Sequence, residues 1–205
     1  MSEQDTEHET DDARRKGPRR SESSRAAILE ATRDELTEQG WRRFSVDNVA
    51  RRAHASKQTI YRWWPATGTM CIEAAFSVIP AAPASAREPL DRITVLLEPI
   101  ETSVRTGNVR SALRGAILAA CDEKEAGEAL RAWVKSEIRT PLRIILAELA
   151  AKHVIRHDYD LEEAVEMLLG SLWHNILVMR APLKEGFSKR QAERLLKFLA
   201  PVKPA

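Results

Sequence analysis

The chain has 205 residues, 43% hydrophobic and 30% charged, which is enough for one large domain or two small ones. Its net charge is only +2, so the overall balance points to no partner, and Cys71 and Cys121 form no disulfide framework. No apolar run approaches the roughly 20 residues that span a bilayer, and the polar N-terminus carries no signal peptide. A cytoplasmic, membrane-free chain is expected. Many Ala, Leu, Glu and Arg with only 8 glycines predict an all-α protein.

Residues 1–21 hold almost no apolar side chains and are expected to be a disordered arm. Its first dozen residues are acidic. Arg14, Arg15, Lys16, Arg19 and Arg20 then cluster around Gly17 and Pro18. Such a cluster is either a solvated tail or an arm laid on DNA phosphates or in a minor groove. Ser23 or Ser24 caps the first helix, which runs to about Gln39 with Ala27, Ile28, Ala31 and Leu36 inward. Gly40 stops it.

The rest of the chain is organised around the stretch from Ser45 to Trp64. Ser45 is an N-cap, and Val46, Val49, Ala50 and Ala53 recur at helical spacing. Ser56 is a second N-cap a few residues later, so a turn falls at His54 and Ala55. The second helix ends at Trp64, because Pro65 cannot continue it. Trp64 is expected in the core and Trp63 nearer the surface. Two short helices crossing through a tight turn make a helix-turn-helix.

These residues also carry a resemblance. Gly40, Trp41, Phe44, Val46, Val49, Ala50, Ala53, Ser56, Thr59, Ile60, Tyr61 and Trp64 resemble the DNA-binding half of the TetR-like (tetracycline-repressor-type) transcriptional regulators. The likeness runs from about Arg25 to Met70, with two departures. His54 stands in the turn where the family usually has Gly. Thr67 stands where the family usually has a phosphate-binding Lys, and it is expected to cap the next helix instead. The resemblance implies a homodimer on a palindromic double-stranded DNA operator, with a small apolar effector that alters DNA affinity, and no cofactor.

For DNA, the exposed start of the second helix offers Lys57, Gln58, Thr59, Tyr61 and Arg62. Gln58 pairs bidentately with adenine and Lys57 reaches guanine or phosphate. Thr59 and Tyr61 hydroxyls suit phosphate oxygens, which position the protein without reading sequence. Arg43, Ser45, Ser56, Thr67, Arg19 and Arg20 complete the expected contact set.

A fourth helix is predicted from Thr67 to Ile79, bridging a DNA-binding domain at 22–67 and a helical domain at 68–205. Further helices come after it: Leu90 onward with Pro99 ending or kinking it, Val109–Cys121, and Glu125 to about Lys152 with a kink at Pro141. The stretch Leu161–Met179 is apolar over more than one stripe, and Ser188 caps a final helix. The surplus width and the resemblance both place Leu161, Val165, Leu168, Leu172, Leu195 and Leu199 at a dimer interface. Cys121, Trp133, Ile117, Trp173, His174 and Asn175 lie on or near apolar faces and are the candidates for an effector pocket. A closed core with satisfied polar groups gives the same pattern.

Catalysis finds little support: G-x-G-x-x-G, the P-loop and G-x-S-x-G are all missing. His153 and His157 are four apart but fall where a helix should end, so no metal site is assigned.

Overall fold

The computed structural model describes residues 18–83, 88–105 and 108–201, with side chains from 22 onward. All regular structure among them is helical. The first half holds α1 (Pro18–Gln39), a one-turn 3-10 segment (Trp41–Arg43), α2 (Val46–Arg52), α3 (Lys57–Trp63) and α4 (Thr67–Phe76). The second holds α5 (Pro89–Arg105), α6 (Asn108–Asp122), α7 (Lys124–Val134), α8 (Thr140–Ala151), α9 (Leu161–Trp173) and α10 (Phe187–Phe198).

Several boundaries differ from the sequence reading. α1 begins at Pro18, whose fixed φ suits the first helical position. Residues 18–21 therefore belong to the helix and not to a disordered arm. α5 runs on through Pro99 to Arg105. A π turn at Lys135–Arg139 joins α7 to α8 just ahead of Pro141. Widening the turn there absorbs the missing N–H of the proline, so the helical run continues. A second π turn, His174–Met179, extends α9.

Two apolar cores result. One gathers Ile28, Leu29, Ala31, Val49, Ala50, Ile60, Trp64, Met70 and Ala74. The other runs from Leu36, Cys71, Ile72, Ala75 and Phe76 through the C-terminal helices. α4 is the shared wall: Met70 and Ala74 face the first core, and Cys71, Ile72, Ala75 and Phe76 the second. Burying Met70, Ile72 and Phe76 contributes about 2 kcal/mol each, so α4 is fixed from both sides. Burial also pushes the Cys71 thiol far above its usual range and keeps it protonated. Glycine at 115 lets α6 lie against α1 without displacing the Leu36 side chain. A Cβ there would stand 2.8 Å from Leu36 Cδ2.

The expectation for the last helices is corrected. Val165, Leu168, Leu172, Leu195 and Leu199 are all buried in the chain's own core, and Leu161 packs against it. None of those five is open to a second copy, because α9 packs on α10 and α10 on α5. Ser188 is not the cap of α10 either. That place belongs to Gly186, whose φ is +72°, and helix capping is done from α5.

Candidate nucleic-acid interface

The helix-turn-helix is closed by its own serines. Ser45 Oγ accepts the Asn48 N–H at 3.4 Å, and Ser56 Oγ accepts the Thr59 N–H at 3.1 Å. Each such cap stabilises its helix by about 1 kcal/mol. Between them His54 takes φ +49°, the left-handed geometry that a glycine adopts without strain. The expected turn is therefore made, with a bulkier residue than the geometry prefers.

α3 then presents Lys57, Gln58, Tyr61 and Arg62 to solvent, and Arg42 and Arg43 are exposed too. Lys57 is not free. Its Nζ lies 2.6 Å from Asp47 Oδ1, and that contact raises its pKa. Thr59 is half-buried, with its Oγ1 2.9 Å from Ser56 Oγ, so its hydroxyl belongs to the capping network. The far end of α3 is pinned. Trp64 is buried and donates its Nε1–H to Glu73 at 2.8 Å. Arg25 of α1 pairs with Glu73 and lies 5.5 Å from the ring centroid of the more exposed Trp63. Arg19 and Arg20 fall in the first turn of α1, but their side chains lie outside the described residues, as do Arg14, Arg15 and Lys16.

Two carboxylates that the sequence reading missed hold this unit together. Glu35 is fully buried and accepts from Asn48 Nδ2 at 2.9 Å, tying α1 to α2. Glu123 acts at longer range. Thr67 does not cap α4: the N-cap is Ala66, whose methyl group can accept no hydrogen bond. Instead Glu123 Oε2 accepts the Gly68 N–H at 2.8 Å. A Cβ on Gly68 would lie 2.5 Å from that oxygen and 2.7 Å from Ala126 Cβ, so only glycine permits the approach. Beside it Asp122 Oδ2 accepts from Trp41 Nε1 at 2.7 Å. The α6–α7 corner thus grips the helix-turn-helix unit at two points. An acidic pair at a helix junction was visible in the sequence, but nothing local named its partners.

The pocket residues separate. Ile117 and Trp173 meet in a cleft of about 550 Å³ between α6, α7 and α9. Trp133 faces elsewhere, packed against Phe76 of α4 with ring centroids 4.6 Å apart and the rings tilted by 53°. Cys121 and His174 are exposed and Asn175 bonds back to the Ser171 carbonyl, so none of the three lines that cleft. A smaller cleft of about 330 Å³ lies between α5 and α8. His153 Nδ1 and His157 Nε2 are 3.0 Å apart on the surface, and no group of three metal-ligating side chains occurs among the described residues.

An all-helical chain with a capped helix-turn-helix, an exposed cationic recognition face and a larger helical half defines a class of DNA-binding transcriptional regulator. Comparison with known proteins makes this specific. Residues 28–69 match the family described as "Bacterial regulatory proteins, tetR family". Residues 90–195, half of the chain, match "Tetracyclin repressor-like, C-terminal domain". The chain belongs to the TetR family of transcriptional regulators, DNA-binding proteins of the repressor type rather than enzymes. Over 179 residues it is 28% identical to the uncharacterised HTH-type transcriptional regulator YdeS of Bacillus subtilis, covering 84% of this chain and 88% of that one. Over 45 residues it is 51% identical to the DNA-binding transcriptional repressor TetR of Mycobacteroides abscessus, covering 22% of this chain and 24% of that one. A crystal structure of a TetR-family regulator from a Rhodococcus species shares the fold, with a TM-score of 0.65 at 16% identity over 86% of this chain and 98% of that one. No helix among the described residues is long and apolar enough to cross a membrane.

Proposed function

We propose that the protein is a homodimeric repressor that binds a palindromic operator through α3 and is released by a small-molecule effector. It would act in the cytoplasm, where the operator lies. The observation that carries this reading is the α3 face, where Lys57, Gln58, Tyr61 and Arg62 stand exposed on a helix capped at its start and pinned at its end. Gln58 reads adenine. Tyr61, Arg62 and Arg43 hold phosphates, and Lys57 leaves Asp47 for phosphate or guanine.

For the second copy the reading uses the outward side of α9 and its π turn, at Met167, Gly170, His174 and Val178. Val178 is 66% exposed and Gly170 leaves open space around its Cα, so another helix can approach closely. An effector acts by favouring one spacing of the two recognition helices over another. The α6–α7 corner is the proposed link, because Asp122 and Glu123 bond directly to Trp41 and α4.

Fluorescence anisotropy with operator and random duplexes tests the recognition role. Gln58→Ala is expected to cost about 1–3 kcal/mol on the preferred site and little on random DNA. Equal losses on both would remove Gln58 from base recognition. Native mass spectrometry of protein purified from cells tests the effector role, and a ligand-free spectrum in which no cell extract releases DNA would count against it.

A further inference from the structure

We infer that the cleft between the α6–α7 hairpin and α9 binds an amphipathic carboxylate: an apolar body with a single anionic head. This rests on the proposed effector role and adds the ligand's chemical class. The cleft of about 550 Å³ falls within the roughly 300–1,000 Å³ usual for small-molecule sites. Its apolar wall comes from Ile117, Leu130, Val134, Val165, Trp173 and Leu177.

The rim sets the charge. Arg131, Lys135 and Arg139 all line the cleft, against the single acid Glu162. Glu162 is taken by Arg139 in an ion pair. Among the described residues Arg131 and Lys135 have no ion-pair partner. They are four apart on one helical run; the Arg131 guanidinium lies over Gly127, and rotation of that exposed side chain toward Lys135 lets one head group meet both. A neutral ligand would leave both cations beside an apolar body, whereas a carboxylate gains charge-assisted hydrogen bonds at the mouth.

The width of α9 points the same way. Its core-facing stripe is Val165, Leu168, Leu169, Leu172 and Ile176, yet Trp173 and Leu177 extend the apolar arc beyond it. Both are half-buried and both line the cleft. This part of the surplus apolar surface is accounted for by the concavity, apart from the outward Met167 and Val178. The cleft between α5 and α8 lacks the charge signal, since its Arg92 is bound to Glu148 and it also contains Glu137.

The position of the cleft gives a bound molecule leverage. Ile117 precedes Asp122 on α6, and Leu130 lies beyond Glu123 on α7. A wedge between this hairpin and α9 shifts the corner that bonds to Trp41 and Gly68.

The test uses the full chain and isothermal titration with decanoate, with decan-1-ol and decylamine as matched neutral and cationic probes. Decanoate is expected to bind at least about tenfold more tightly than either. The double variant Arg131→Gln/Lys135→Gln should lower decanoate affinity about tenfold or more and leave decan-1-ol unchanged. Ala132→Trp, at an exposed position on the rim, should block decanoate while the thermal midpoint stays as in the wild type. Equal binding of the three probes, or wild-type decanoate affinity in the double variant, would overturn the inference. So would no binding by any probe together with concentration-dependent shielding of Trp173 from an aqueous quencher, which would give the cleft to a second copy. Release of DNA by decylamine or decan-1-ol but not by decanoate rejects the charge assignment and keeps the effector role. Decanoate bound in the cleft with unaltered DNA affinity keeps the site and rejects its role as an effector site.

Discussion

In the helix-turn-helix, helix ends are closed by near neighbours. Ser45 caps α2 and Ser56 caps α3, each through a backbone N–H three residues on. Among the other helices Asp160 caps α9 locally as well, but the starts of α4 and α10 are closed across space. Glu123 caps α4 from 55 residues away, and Glu101 of α5 accepts the N–H groups of Phe187 and Ser188 at the start of α10 from 86 and 87 residues away. A local cap makes a unit that keeps its shape when its surroundings move. A distant cap makes the position of one helix depend on another, which is what a domain that relays a signal requires.

The largest effect should come from breaking the most buried distant cap. Glu101 is buried, and burial alone would raise its pKa. The N–H donors of Ser188 and Phe187 outweigh that and hold it below the usual carboxylate range. Glu101→Ala should destabilise by about 2–4 kcal/mol in urea unfolding, since two N–H groups lose their acceptor in a dry site. The lowered pKa sets the sign with pH. The contribution is fully present above the unfolded value of about 4.3 and is lost as pH falls through the folded one. Glu101→Gln should flatten that acid limb, and an unchanged acid limb would show that Glu101 does not hold α10 as a carboxylate.

Glu123→Ala comes next, at about 1–2 kcal/mol, because its site is half-buried and water can replace part of the bond. Its distinguishing effect is on function: operator affinity should fall by more than the loss of folded protein explains, since α4 is no longer held to the α6–α7 corner. Operator binding that merely tracks the folded fraction would reduce Glu123 to an ordinary cap. Ser56→Ala should be the smallest, about 1 kcal/mol, with the C-terminal helices as stable as before by hydrogen exchange. Loss of protection throughout the chain would mean the two regions are not held in different ways.

The same contrast decides what could be read from the sequence. Ser45, Ser56, the turn at His54 and the stop at Pro65 are signals within a few residues of the structure they cause, and the helix-turn-helix was legible almost to the residue. The cap of α4 was not. Thr67 looked like a cap because a hydroxyl stood in the right place, yet a carboxylate from another helix reached the N–H first. The wide apolar arc of α9 was legible as surplus but not as to what covers it. Periodicity gives a face and not its partner, so Leu168 and Leu172 were assigned to a second copy while they fill the chain's own core. The pocket residues failed for the same reason: Ile117 and Trp173 meet, but Trp133 lies on the other side of α7, against Phe76.

The most direct test of a dimer reading DNA through α3 is selection of duplexes from a random pool by the full-length protein at physiological salt. Enrichment of an inverted repeat whose half-sites lie about 10 bp or a multiple apart is predicted, lost in Gln58→Ala. Enrichment of a single unrepeated half-site, or binding that depends on salt but not on sequence, would contradict it.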